Sequence, residues 1–205
     1  MGRLGIFYGN KTSFQFTGFT ADVSCPGNLS SQLSCQPKPA GSVIESGAQS
    51  QHSINAECVT EFSDAPILNI AFTLSGAVQK INLKLPIIIN KFIEPAEMDS
   101  STFFTRWKAL HQPSQECQRI FKAQFPMDTE QVKTKLLGYS LSVLLDIDPN
   151  PENFVSAGIL YTRGAQIGVL ARLEPNKQAQ MYRLTIRSSK DDVPTMLCDL
   201  LESQL

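Results

Sequence analysis

Along the N-terminal half of the chain, apolar residues recur at every second position. Ile54, Ala56, Cys58, Thr60 and Phe62 fall on one side of one segment, and Leu68, Ile70, Phe72 and Leu74 on one side of the next. The most regular run is Ile81, Leu83, Leu85, Ile87 and Ile89, with Asn82 and Lys84 facing the other way. Successive side chains of a strand point to opposite faces, so this period predicts half-buried β-strands. Ile6-Phe7-Tyr8 and the pair Phe14, Phe16 add shorter pieces. Gly9-Asn10, Pro26-Gly27-Asn28, the stretch from Pro37 to Gly41 and Ser75-Gly76 supply the turns between them. Short strands punctuated in this way predict an antiparallel β-sandwich.

Near Lys91 the period changes. Ser100 or Ser101 is placed to cap a helix carrying Phe103, Phe104, Trp107 and Leu110. Ser114 is placed to start a second helix, with Cys117, Ile120 and Phe121 on one stripe, and Asp128 with Gln131 a third, ending at Gly138. Alternation then returns. Leu141, Val143, Leu145 and Ile147 form one set, and Val155, Ala157, Ile159 and Tyr161 the next. Ile167, Val169, Ala171 and Leu173 follow, then Tyr182, Leu184 and Ile186. Short turns at Arg163-Gly164 and Glu174-Pro175-Asn176 favour antiparallel hairpins. A last helix over about residues 192–203 presents Val193, Met196, Leu197, Leu200 and Leu201. The chain as a whole reads as α+β. Its boundary falls near residues 90–93, with a sandwich over 1–91 and an antiparallel sheet flanked by helices over 92–205.

Composition mainly excludes. A formal charge of −1 over 205 residues offers no net field for nucleic acid or a membrane surface. No run approaches the ~20 apolar residues that span a bilayer, and the longest candidate, Leu83 to Ile89, contains Lys84 and Pro86. The N-terminus lacks a signal-peptide core, and Ile6 stands where a myristoylation signal needs Ser or Thr. The five cysteines form no Cys-x-x-Cys pair, and the two histidines, His52 and His111, are far from any Cys cluster, so no zinc site is expected. Scattered thiols suit a reducing compartment. Two sequons, Asn10-Lys11-Thr12 and Asn28-Leu29-Ser30, keep open a secreted immunoglobulin-like module.

Catalytic signals are sparse. No nucleophile elbow, phosphate loop or dinucleotide fingerprint occurs. His111 and Cys117 would make a hydrolase only if they met in space across Pro113. Asp146/Asp148 and Asp191/Asp192 sit at element ends and read as solvated carboxylates. The expectation is a protein that is not an enzyme and needs neither cofactor nor metal.

The unusual content lies on one surface. Gly168, Leu170, Arg172 and Glu174 share the face opposite Val169, Ala171 and Leu173, and Arg183, Thr185 and Arg187 the face opposite Tyr182, Leu184 and Ile186. Antiparallel pairing would bring Arg172, Arg183 and Arg187 near one another. If the helix with Trp107, the chain's only tryptophan, crosses that face, it and the guanidiniums would line one pocket. Planar guanidinium donors suit carboxylates and the indole offers a stacking surface, which fits a short peptide combining Asp with Phe or Trp. A core Trp with solvated surface arginines satisfies the same pattern.

Several blocks resemble a known family. They are Ile6-Phe7-Tyr8-Gly9-Asn10-Lys11-Thr12-Ser13, Phe103-Phe104-Thr105-Arg106-Trp107-Lys108, Ile120-Phe121-Lys122-Ala123 and Pro126-Met127-Asp128-Thr129. Asp148-Pro149-Asn150-Pro151, Arg172-Leu173-Glu174-Pro175-Asn176 and Gln178-Ala179-Gln180-Met181-Tyr182-Arg183-Leu184-Thr185 complete the set. Together they closely resemble the α-adaptin appendage, the ear of the large α subunit of the plasma-membrane clathrin adaptor complex. The resemblance covers nearly the whole chain and is tighter in the second half. It implies an immunoglobulin-like sandwich followed by an α+β platform, with the chain starting at a later strand of the family sandwich. It also implies a non-enzymatic module that recruits endocytic accessory proteins through short motifs in their disordered tails. Such a module works in the cytoplasm at clathrin-coated pits, joined to the other adaptor subunits through its parent chain, with no nucleic acid and no membrane insertion.

By the resemblance, Asp-Pro-Phe, Asp-Pro-Trp and Phe-x-Asp-x-Phe peptides would be held by Phe104, Trp107, Glu116, Arg172, Glu174, Arg183 and Arg187. Trp-x-x-Phe-type peptides would lie on the sandwich at Phe7, Gly9 and Gln49. An appendage of a related coat, of β-adaptin or coatomer type, would share this architecture.

Overall fold

The computed structural model describes residues 1–205, which divide into two compact units, Met1–Ile89 and Asn90–Leu205. The first unit carries seven strands: β1 (Gly2–Gly9), β2 (Phe16–Ser24), β3 (Leu33–Pro37), β4 (Val43–Ile44), β5 (Gln49–Cys58), β6 (Ile67–Leu74) and β7 (Ala77–Lys84), with one helical turn, α1 (Leu29–Gln32), between β2 and β3. They form two antiparallel sheets, ordered β1-β5-β3 and β4-β2-β6-β7. Ile54, Ala56 and Cys58 of β5 face Leu68 and Ile70 of β6 across a core that Phe19, Leu29, Leu33 and Phe62 complete. The rings of Tyr8 and Phe19 meet at 4.9 Å and tie β1 to β2. Where β2 pairs with β6 the register slips by one residue between Thr17 and Thr20, and Gly18 takes φ +59° there. An extra residue in one strand needs a left-handed kink that glycine adopts without a Cβ clash.

The most regular alternation behaves differently from its pattern. Every residue of β7 is exposed, with Ile81 at 43% and Leu83 at 50%, whereas Leu85, Ile87 and Ile89 are buried. β7 is the last strand of its sheet and has a neighbour on one side only. The strand also ends at Lys84, before Pro86, which has no N–H to offer a ladder. Alternation reports which residues share a face, while cover from a facing layer decides burial. Ile54→Ala should therefore lower stability by about 3 kcal/mol and Leu83→Ala by less than about 1 kcal/mol, read from urea midpoints. Equal losses would contradict the exposed placement of β7.

The second unit holds β8 (Ile93–Pro95), α2 (Ser100–Ala109), β9 (Glu116–Lys122), α3 (Thr129–Gly138), β10 (Ser142–Leu144), β11 (Phe154–Tyr161), β12 (Gln166–Asn176), β13 (Met181–Ser188) and α4 (Val193–Glu202). Its antiparallel sheet runs β10-β11-β12-β13-β9, and β8 pairs with the free part of β11. Val169, Ala171, Leu173, Tyr182, Leu184 and Ile186 are all buried on one face, with α4 packed against β13 and β9. Val155, Ala157 and Leu170 are buried on the other, under α2.

Three sequence expectations are corrected here. The stretch after Ser114 is not a helix: a single 3₁₀ turn at Pro113–Gln115 leads into β9, which pairs with β13 from Glu116↔Arg187 to Lys122↔Met181. Cys117 and Phe121 satisfy a strand period as well as a helical one, and the partner strand decides. Ile120 then points to the opposite face and is 66% exposed. The run from Leu141 to Ile147 is also shorter and phased differently, with Ser142 and Leu144 buried and Leu145 exposed. Asp146, at φ +57°, breaks it. Finally, α2 is capped by Asp99, whose carboxylate accepts from the Thr102 N–H at 2.7 Å, rather than by Ser100 or Ser101. Asp128 caps α3 as its spacing predicts, accepting from the Gln131 N–H at 2.9 Å.

Candidate functional site

α2 lies across the sheet because its apolar residues at helical spacing meet the apolar face of β11 and β12. Phe103 is wholly buried among Leu144, Ile147, Val155, Ala157 and Leu170, and Phe104, Trp107 and Leu110 pack around it half-buried. Trp107 stacks on Phe103 at 5.5 Å and 21°, while Phe104 meets Phe103 edge-on at 5.4 Å. The indole is therefore a fixed plate with one face against the core.

The other partner of that plate is Arg187. Its guanidinium lies 4.5 Å from the Trp107 ring centroid. Arg187 also donates to the Trp107 carbonyl from one terminal nitrogen at 2.5 Å and to Glu116 Oε2 from Nε at 2.6 Å. The β13–β9 register sets Glu116 directly opposite Arg187, so this triple contact follows from strand pairing. A guanidinium bound in its own plane and stacked on an aromatic face keeps its orientation without depending on a ligand.

Further along the same face the charges form a ladder. Arg172 donates from Nε to Asp148 Oδ2 at 2.6 Å and reaches Glu174 Oε1 at 3.1 Å. Glu174 in turn accepts two bonds from Arg183, from Nε at 2.6 Å and from a terminal nitrogen at 2.5 Å. The Asp148 side chain is only 4% exposed. Burial pushes its carboxyl pKa up, but bonds from Arg172, the Asn150 N–H and the Asn153 amide, with the charge of Arg172, outweigh burial and hold it below the ordinary carboxylate range. Bonds to Glu174 raise the Arg183 pKa, so it stays charged throughout the accessible range. Beside Arg183 and Glu174 lies a recess of about 350 Å³, bordered by Ile120, Asn150, Asn153 and Tyr182.

The predicted residues thus fall into two groups on one face rather than one pocket. Arg187 joins Trp107 to Glu116, with Phe104 joined through Phe103. Arg172, Glu174 and Arg183 form the second group. Asp148 belongs with them and was read from the sequence as a solvated carboxylate. The signal that could have marked it is Asp148-Pro149-Asn150, an Asx-turn spacing in which the aspartate binds the backbone two residues on. On the first unit, the β1–β5 register sets Gly9 opposite Gln49 and Phe7 opposite Gln51. Phe7 is 60% exposed there, on a strand paired along one edge only.

Other candidates do not assemble. His111 is exposed and bonds the Ala109 carbonyl, while Cys117 is buried beside Cys198. No group of three or more His, Cys, Asp and Glu side chains could hold a metal ion, and no helix is long and apolar enough to cross a membrane. The sequon residue Asn10 is 1% exposed. Its amide nitrogen is occupied by the Phe14 and Ile44 carbonyls and its oxygen by Thr12, so it has no free nitrogen to carry a glycan in the folded protein.

The family described as "Alpha adaptin AP2, C-terminal domain" matches residues 91–205, and that described as "Adaptin C-terminal domain" matches residues 1–86. The AP-2 complex subunit alpha-2 of Dictyostelium discoideum is 36% identical over 207 residues, covering 100% of this chain and 20% of the relative. The AP-2 complex subunit alpha-2 of Arabidopsis thaliana is 28% identical over 208 residues, with the same coverage of 100% and 20%. The AP-2 complex subunit alpha of Schizosaccharomyces pombe is 27% identical over 165 residues, covering 79% of this chain and 19% of the relative. The chain thus spans about a fifth of the length of these relatives.

Proposed function

We infer, because this chain belongs to the alpha-adaptin C-terminal domain family, that it is a non-enzymatic interaction module of a clathrin adaptor. It recruits endocytic accessory proteins to coated pits on the cytoplasmic face of the plasma membrane, and its parent subunit joins it to the rest of the adaptor. The ligands are short Asp-Pro-Phe, Asp-Pro-Trp and Phe-x-Asp-x-Phe motifs, bound on the face shared by α2, β12, β13 and β9. Trp-x-x-Phe-type motifs bind on the sandwich at Phe7, Gly9 and Gln49. The observation that carries this reading is the Arg187 guanidinium held across the Trp107 ring, in line with Arg172 and Arg183.

The peptide aromatic packs beside Phe104 against the part of Trp107 that Phe103 and Arg187 leave uncovered, and the peptide carboxylate joins the guanidinium row. Arg183 is half exposed, so its pair with Glu174 contributes only about 0–1 kcal/mol and can be shared with a ligand at little cost. Arg172 is held by Asp148 and Glu174 and remains partly exposed to a ligand. A peptide that buries little area and must be ordered binds weakly, in roughly the micromolar range or above. Tails with repeated motifs gain avidity by linkage, which suits a coat that assembles and then disassembles.

Calorimetric titration with a Phe-x-Asp-x-Phe peptide tests the reading. Saturable binding is expected, and replacing the peptide Asp by Ala should weaken it at least about tenfold, the worth of one charge-assisted pair. Equal affinity for the two peptides would remove the guanidinium row from the site.

A further inference from the structure

Cys25 and Cys35 stand at the two ends of the crossover from one sheet of the sandwich to the other. Cys25 follows β2 directly and continues the side of Phe19, Ala21 and Val23; Phe19 and Ala21 are buried in the core. Cys35 lies in β3, two residues after the buried Leu33, and is paired with Ala56 of β5. Strand parity therefore turns both thiols toward the space between the sheets. β2 and β3 pack together, and Cys25 lies near enough to Cys35 for its charge and its thiol to act on the Cys35 thiol. Both are half-buried and free, whereas Cys58, Cys117 and Cys198 are buried.

We propose that Cys25 and Cys35 form a reversible disulfide that staples the two sheets of the sandwich, with a low-molecular-weight disulfide such as oxidised glutathione as the oxidant. The Cys25 thiolate attacks one sulfur of the glutathione disulfide and releases one glutathione thiolate. Cys35 then gives up its proton and attacks the Cys25 sulfur, which releases the second. Two protein thiols are oxidised, one glutathione disulfide is reduced to two thiols, and the two protons end on the released glutathiones.

The order of attack has a physical basis. Burial, together with the charge of Cys25 and a hydrogen bond to it, pushes Cys35 up to about 12, so Cys35 stays protonated while Cys25 is free. Capping of Cys25 by glutathione removes its charge and its thiol bond, and leaves only burial opposing Cys35. Cys58 is an internal control: it is buried, donates to the Thr60 carbonyl, and is also pushed up to about 12, first by burial.

The test treats the folded chain with a graded ratio of oxidised to reduced glutathione and then blocks remaining thiols. The expected product is a monomer lighter by two hydrogens. Chymotryptic cleavage after Leu29 or Leu33, without reduction, should leave the Cys25 and Cys35 peptides joined. Cys35→Ser should accumulate one glutathione adduct on Cys25, and Cys25→Ser should leave Cys35 largely unmodified. The oxidised wild type should melt at least about 3 °C higher, because closing the crossover restricts the unfolded chain. A stable glutathione adduct on wild-type Cys25 with no cross-link, a cross-link formed only in denaturant, or a disulfide-linked dimer would each overturn the proposal.

Discussion

Trp107→Ala is expected to weaken binding of a Phe-x-Asp-x-Phe peptide by more than about 30-fold, that is by roughly 2 kcal/mol or more. Two contacts converge on this ring, Phe103 behind it and the Arg187 guanidinium over it, while the backbone carbonyl of the same residue also holds Arg187. Removal of the indole takes away the stacking surface and also frees Arg187 from its aromatic face. The same substitution should cost about 2–3 kcal/mol of stability, because the ring is only half-buried and the Phe103 core remains closed beneath it. Circular dichroism and a melting curve establish that the variant is folded before its affinity is read. Trp107→Phe, which keeps an aromatic plate of smaller area, should fall between the two. Unchanged affinity in a folded Trp107→Ala variant would remove Trp107 from the site.

Asp148→Ala should be the largest single loss of stability among the charged residues of this face, about 2–3 kcal/mol. It removes the partner of the Arg172 Nε and the acceptor of both Asn150 and Asn153. The figure sits at the low end for a broken pair because Arg172 keeps Glu174 and is 31% exposed. The pH dependence has a definite sign. The Asp148 carboxyl is held below its ordinary value in the folded state. Its contribution is therefore complete above the unfolded-state value, about 3.9, and is lost as pH falls through the lower folded value. The stability gap between wild type and Asp148→Asn should be full at pH 6 and shrink steadily below about pH 4. Melting curves at pH 6 and pH 3 measure it, and a gap that does not change would mean the carboxylate charge is not what holds Arg172. Peptide affinity should fall in parallel, since Arg172 would lose the support that holds it.

Much of this face was legible from residue order. The helix around Trp107 follows from apolar positions at helical spacing after a capping residue. The one-sided placement of Leu170, Arg172 and Glu174, and of Arg183, Thr185 and Arg187, follows from strand parity. β9 was not legible, because Cys117 and Phe121 fit either period and Ile120 fits only the helical one. Its strand form depends on β13, about sixty to seventy residues away in sequence, offering a full ladder. Asp148 was not legible as a buried partner, since burial of a loop carboxylate depends on which guanidinium the fold brings behind it.

Local pattern, then, determined the α+β class, the strands β5, β6 and β11 to β13, the helices α2, α3 and α4, and the aromatic and cationic content of the face. Those features arise from interactions within a few residues: side-chain alternation, helical spacing, and caps such as Asp128. Tertiary structure alone decided that Ile81 and Leu83 stay exposed, that Arg187 rests on Trp107, and that Arg172 belongs to Asp148. Each of these is a meeting of segments distant in sequence, where register and the presence or absence of a covering layer outweigh any local preference.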